Sequence, residues 1–199
     1  MQIAREILHL PASSRLLLAG ASYLDDPRKG VRELVKALHE LNRNEDGDIR
    51  LLLVGLNGHQ LIRELPLPVH YLGEVADPLM MALVYQSADI FLCPSLADSG
   101  PMMIPEAMLC GTPVVAFPTG GAPDWIDHEV NGYLASFGDV TDFARGVERL
   151  LGMDREIVSR AARQTVAPVH DPDLVARQHL QLYQELLIKQ AERDSKLRA

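Results

Sequence analysis

The chain has 199 residues, 47% of them apolar, and a mean hydropathy of +0.01, enough to bury a sizeable core in one large or two small domains. A net charge of −8 and a pI near 5.3 argue against a nucleic-acid duplex as partner, because phosphate-backbone binding needs a clustered basic surface. The two cysteines, Cys93 and Cys110, lack CxxC or zinc-ligand spacing and lie in apolar contexts, so they read as buried free thiols with no metal or redox role.

The start, MQIAREILHLPASSR, holds one apolar helical turn with charges inside it, unlike a secretion signal. No apolar run approaches the length of a membrane span, and a cytoplasmic location is expected. From residue 15 onward, short leucine-rich or β-branched runs alternate with segments of helical period, the pattern of βαβ units and a parallel sheet. Strands are predicted at RLLLAG (15–20), IRLLLVG (49–55), VHYLG (69–73), DIFLCPS (89–95), PVVAF (113–117) and GYLAS (132–136). Helices are predicted at 28–43, 77–88, 102–110 and 139–152. Asp77-Pro78 starts one of them, and Gly111 with Pro113 stops another. After Gly152 only helical stretches follow, near 154–166 and 172–191.

A parallel sheet with right-handed crossovers binds ligands beyond the carboxyl ends of its strands, which sorts the motifs. The Asp46-Gly47-Asp48 triplet has the look of a metal-binding DxD, but it precedes a strand and reads better as an Asp-Gly turn. Asp171-Pro172-Asp173 reads as a helix cap. His59, His70 and His128 are scattered singly, without metal or triad spacing. The loop after the fourth strand is richer: Asp98, Ser99 and Gly100 lead into a helix carrying Glu106. Pro105 confines regular helix to positions from about Met102 or Met103, which leaves the amides of Met102, Met103 and Ile104 without intrahelical partners. Free amides at a helix start suit a phosphate, and flanking carboxylates suit sugar hydroxyls, a pairing that a nucleoside-diphosphate sugar would satisfy. A solvated turn aspartate, a dipole-compensating glutamate and two core methionines stand beside this as an equal alternative. Arg28 and Lys29, after the first strand, are suitable partners for a diphosphate, and Gly120-Gly121, after the fifth, offers unobstructed amides.

Taken in order, RKG (28–30), VHYLGEV (69–75), ADIFLCPS (88–95), DSGPMMIPEAMLCGTPVVAF (98–117), GGAPDWI (120–126) and NGYLA (131–135) resemble the C-terminal, donor-binding half of a GT-B glycosyltransferase of glycosyltransferase family 4, over about residues 15–190. The resemblance implies an α/β fold: a Rossmann-like three-layer domain at 15–152 with about six parallel strands, a lead-in at 1–14, and C-terminal helices at 153–199, the last like the helix that crosses to the partner domain. It implies transfer of a sugar with retention from a nucleotide-sugar donor, with no further cofactor and no essential metal. The family has two glutamates separated by seven residues. Glu106 matches the second, which binds ribose hydroxyls, while Asp98 stands at the first, one methylene short, where the carboxylate meets the donor sugar. Lys29 matches the family lysine on the diphosphate. The family arginine has no counterpart where ASYL stands, and Arg28 is the candidate substitute. Ser99, Gly100, Met102, Met103, Ile104, Gly120 and Gly121 complete the expected diphosphate site, and Gly73, Glu74 and Val75 the nucleoside site.

The acceptor-binding N-terminal domain of a GT-B enzyme is expected as a partner and has no counterpart in the 14 residues before the first strand. Three readings follow: a donor-binding fragment of a full transferase, a separately encoded subunit that completes its cleft with another chain, or a non-catalytic nucleotide-sugar-binding module. An intact enzyme of this kind is expected in the cytoplasm, with peripheral membrane association open to it.

Overall fold

A computed structural model describes residues 1–44 and 48–198; Asp46 and Gly47 of the DxD-like triplet lie outside the described residues. The chain divides into two compact units, Met1–Thr165 and Val166–Ala199.

The first unit is built on a six-stranded sheet: β1 (Arg15–Tyr23), β2 (Ile49–Leu56), β3 (Val69–Gly73), β4 (Ile90–Cys93), β5 (Val114–Ala116) and β6 (Gly132–Leu134). All neighbours pair in parallel, in the order β3-β2-β1-β4-β5-β6. Successive strands march outward from β1 to one edge, and the chain then returns to β4 and marches to the other. The crevice where the direction reverses lies between the carboxyl ends of β1 and β4.

Leu16, Leu17, Leu18, Leu51, Leu52 and Leu53 are all fully buried, as expected of strands covered on both faces. One face packs under α2 (Val31–Asn44) and α7 (Val140–Leu151), with Leu17, Leu53, Leu92 and Val115 in one core with Leu38 and Phe143. The opposite layer comprises α1 (Gln2–Ile7), α4 (Pro78–Ser87) and α5 (Met103–Leu109), which contribute buried Val84, Ile104 and Met108. Each such side chain contributes about 1.5–3 kcal/mol of transfer free energy. The architecture is the expected three-layer α/β fold.

Local chemistry moved several boundaries. The first strand runs three residues past Gly20, whereas β4 stops at Cys93 because Pro94 cannot donate to the ladder. The helix expected from residue 28 is interrupted: Pro27–Lys29 is a 3₁₀ turn, Gly30 is left-handed at φ 67°, and α2 begins at Val31. Two single-turn helices, α3 (His59–Ile62) and α6 (Ala122–Trp125), lie in loops. The helix α8 (Arg155–Val166) follows α7.

The second unit holds a 3₁₀ turn at Ala167–Val169 and a long helix, α9 (Pro172–Arg198). Asp171 caps α9 by accepting from the amides of Asp173 and Leu174, and Leu180, Tyr183 and Leu187 are exposed along it. Among the described residues no helix is long and apolar enough to cross a membrane.

Candidate functional site

The loops leaving β1 and β4 are stitched together at the crevice. The Arg28 carbonyl accepts from the amides of Leu96 (2.8 Å) and Ala97 (3.3 Å). Gly30 makes this approach possible, because a Cβ there would collide with the Pro94 carbonyl oxygen, and its positive φ disfavours any side chain. The turn is capped by Asp26, which accepts from the Arg28 amide.

This arrangement delivers Lys29 to the loop after β4, where its Nζ lies 2.6 Å from Asp98 Oδ2. Asp98 Oδ1 accepts from the Gly100 amide at 3.2 Å, so both oxygens are engaged. Burial works to raise the Asp98 carboxyl, but the Lys29 hydrogen bond, aided by the Gly100 amide and the ammonium charge, holds it below the usual carboxylate range. The pair sits in the wall of a cavity of about 150 Å³ shared with Gly20, Ser22, Ser95 and Met103. Gly100 has open space around it, as a ligand-facing glycine needs.

Arg28 is placed differently from Lys29. Its guanidinium makes a fork on Asp26, with Nη2 at 2.7 Å from Oδ2 and Nε at 3.1 Å from Oδ1, and it does not line the cavity. The Arg28 hydrogen bonds hold the Asp26 carboxyl down at about 2.

The helix α5 begins at Met103, as Pro105 requires, but only part of the expected amide set is free. Ile104 donates to the Pro101 carbonyl at 2.9 Å, which corrects the expectation of three open amides. The first-turn geometry lets Pro101 act as acceptor, so among the described residues the amides of Met102 and Met103 are left open. Gly120 and Gly121 do not line the cavity. Gly120, at φ 56°, packs directly on the Asp98–Ser99 backbone, and Thr119 Oγ1 donates to the Ser95 carbonyl at 2.8 Å. The loop after β5 thus buttresses the loop after β4. Ser99 is exposed.

Glu106 lies three residues beyond Met103 on the same face of α5 and lines a second cavity, of about 400 Å³. Val75, Pro78, Met81, Tyr85 and Cys110 share its wall, which is otherwise apolar. Of the expected nucleoside residues, Val75 reaches this slot; Gly73, left-handed at φ 69°, and exposed Glu74 precede it on the loop. Cys110 is half-buried at the cavity wall, and burial pushes both thiols up. The expectation that both cysteines are buried therefore holds for Cys93 alone.

Sequence reasoning missed Tyr85. Its hydroxyl donates to Glu106 Oε2 at 2.8 Å. A tyrosine inside the apolar segment before β4 needs a partner for its O–H, and that requirement was the available signal. Among the described residues no group of three or more His, Cys, Asp or Glu side chains could hold a metal ion. His59 and His128 instead stack on Tyr71 and Tyr133.

Known proteins share this framework. Sucrose-phosphate synthase from Thermosynechococcus elongatus superposes with a TM-score of 0.80 at 28% identity, covering 95% of this chain and 49% of that one. Anabaena HepE, solved in complex with UDP and glucose, superposes with a TM-score of 0.75 at 25% identity, covering 92% and 52%. The D-inositol 3-phosphate glycosyltransferase of Segniliparus rotundus is 34% identical over 155 residues, which are 69% of this chain and 34% of that protein. The chain thus spans about a third of the length of that curated relative and about half of the solved chains. Residues 14–153 match the family described as glycosyl transferases group 1, and they include both cavities and every loop at the crevice. The chain belongs to the glycosyl transferases group 1 family.

Proposed function

We propose that this chain is the nucleotide-sugar-binding half of a retaining glycosyltransferase of the family 4 type. It would act with an acceptor-binding domain to move a sugar from a nucleoside-diphosphate donor to a glycan, lipid or other acceptor. The observation that carries the reading is the pairing of two cavities along one face of α5 at the sheet's switch point, one with Lys29 and Asp98, the other with Glu106. Lys29 and the amides of Met102 and Met103 face the diphosphate, Glu106 takes the ribose hydroxyls, and the slot beside Val75 takes the base. The likeness to HepE, solved with UDP and glucose, supports a uridine nucleotide.

In the reaction the bond from the sugar's anomeric carbon to the diphosphate oxygen breaks, and that oxygen leaves with the electron pair. The acceptor hydroxyl oxygen forms the new bond to the anomeric carbon, and its proton passes to the departing diphosphate oxygen. Lys29 and the open amides stabilise the charge developing on the leaving diphosphate, the role to which preorganised donors contribute most. A cytoplasmic location, where nucleotide sugars are made available, fits this role.

One feature favours a second reading, a non-catalytic binding module. Both oxygens of Asp98 are already engaged by Lys29 and the Gly100 amide, which leaves the sugar-facing acid less free than a longer glutamate. Calorimetry with UDP, GDP and ADP tests the binding claim shared by both readings: a uridine nucleotide is expected to bind, and Glu106→Ala to weaken it at least tenfold. No heat with any of the three, or an unchanged affinity in Glu106→Ala, rules out the site. Sugar transfer on addition of an acceptor-binding domain separates the enzyme from the module.

A further inference from the structure

We infer that Tyr85 is a positioning residue for Glu106, holding one oxygen of this carboxylate so that the other is presented to the ribose hydroxyls of a bound nucleoside diphosphate. The inference rests on the nucleotide reading above and assigns it a residue outside the motif that carries the two carboxylates.

Glu106 is exposed on the surface of a short helix, where a free glutamate samples many rotamers and loses side-chain entropy when a ligand fixes it. The Tyr85 hydroxyl restrains it beforehand, through a 2.8 Å hydrogen bond to Oε2. Among the described residues Oε1 makes no hydrogen bond, so one acceptor oxygen is fixed and one is left open.

Tyr85 is itself rigidly mounted. It is 2% exposed, and its ring stands edge-on to Phe91 of β4 with centroids 5.9 Å apart. Its carbonyl accepts from Thr112 Oγ1 at 2.6 Å and from the Ala88 amide at 3.1 Å, which ties α4 to the turn after α5. Phe91 also lines the Lys29–Asp98 cavity, so the aromatic pair bridges the two halves of the proposed site. Burial and the neighbouring Glu106 charge both push the phenol upward, and it stays a protonated donor at any working pH. The bond acts on both partners: the buried phenol gains the acceptor it needs, and the exposed carboxylate, which water could otherwise satisfy in any rotamer, gains a fixed orientation.

The test uses the full chain in four forms: wild type, Tyr85→Phe, Glu106→Ala and the double variant, each titrated calorimetrically with UDP. Tyr85→Phe is expected to weaken UDP binding about tenfold, the loss of one hydrogen bond to a charged group, and to add nothing in the Glu106→Ala background. That non-additivity is the readout which a purely structural role would not produce. Wild-type affinity in Tyr85→Phe, or a further tenfold loss in the double variant, overturns the inference while leaving the nucleotide reading intact. Failure of the folded wild-type chain to bind UDP overturns both. If Tyr85→Phe does not fold, the Tyr85 ring resonances of the wild-type chain serve instead: they are expected to shift on saturation with UDP, and their staying fixed overturns the inference.

Discussion

Both ends of the sheet carry a cavity and a partly buried ion pair, yet they are built to opposite purposes. At the amino ends of the strands, Asp89 accepts from Arg5 Nη2 (2.8 Å) and the Leu16 amide (2.7 Å) and pairs with Arg155 Nε (3.1 Å). Arg5 is 3% exposed and spends its remaining donors on the carbonyls of Ser87, Ala12 and Ser14. These groups line a cavity of about 270 Å³; backbone carbonyls and Asp89 satisfy Arg5, while Arg155 Nε has the Asp89 charge beside it but, among the described residues, no hydrogen bond of its own. At the carboxyl ends Lys29 pairs with Asp98, which also accepts from the Gly100 amide, and Glu106 accepts from the Tyr85 hydroxyl. Those side chains come from loops and from the helices α4 and α5 rather than from the strands, and among the described residues one open oxygen and two open amides remain beside them. Self-satisfied charge makes a structural clamp, whereas charge paired across a gap makes a site that a ligand can enter.

The sharpest way to break the contrast is at the clamp. Asp89→Ala leaves Arg5 buried without its carboxylate and is expected to cost about 3–5 kcal/mol of stability, measured by urea unfolding. UDP affinity of the molecules that remain folded should be unchanged. A loss below about 1 kcal/mol would mean that the network is not a structural clamp.

Gly30→Ala probes the junction of the two loops. A side chain in this left-handed position strains the backbone by about 1–3 kcal/mol, and the Pro94 carbonyl must also move away. Because Lys29 is the next residue, both stability and UDP affinity should fall together. Lowered stability with unchanged affinity would detach Lys29 from the ligand.

The smallest effect concerns pH. The Asp98 carboxyl is depressed in the folded chain, so the pair with Lys29 is fully formed above the ordinary aspartate range and is lost as pH falls through the lower folded value. Carboxyl-carbon NMR of Asp98 should give a midpoint below about 3.9, and Lys29→Met should raise it. A midpoint at or above that value in the wild-type chain would show the pair to be loose.

Much of the fold was legible because parallel strands covered on both faces are written as near-continuous apolar runs, such as Leu16–Leu18 and Leu51–Leu53. Asp77 and Asp171 marked helix starts through their own side chains, and both cap as expected. Local signals failed where a neighbour from another element decides. Pro94 truncates β4, and Gly30 breaks the helix because the Pro94 carbonyl lies against it. At the site, Asp98, Glu106 and Lys29 were found through their motif. The Tyr85 partner of Glu106 lies 21 residues away, and the fork of Arg28 on Asp26 is a side-chain contact that motif spacing does not announce. Gly120 also packs against the Asp98–Ser99 backbone, a contact between two loops that neither loop's own sequence announces.

The central claim is that the carboxyl end of the sheet, and not the amino end, receives a nucleoside diphosphate. Amide NMR of the isotopically labelled chain titrated with UDP tests it most directly. Shifts are expected to concentrate on Lys29, Val75 and Gly100 through Glu106, with Arg5, Asp89 and Arg155 unmoved. Shifts centred on Arg5, Asp89 and Arg155, or none at saturating UDP, would contradict it.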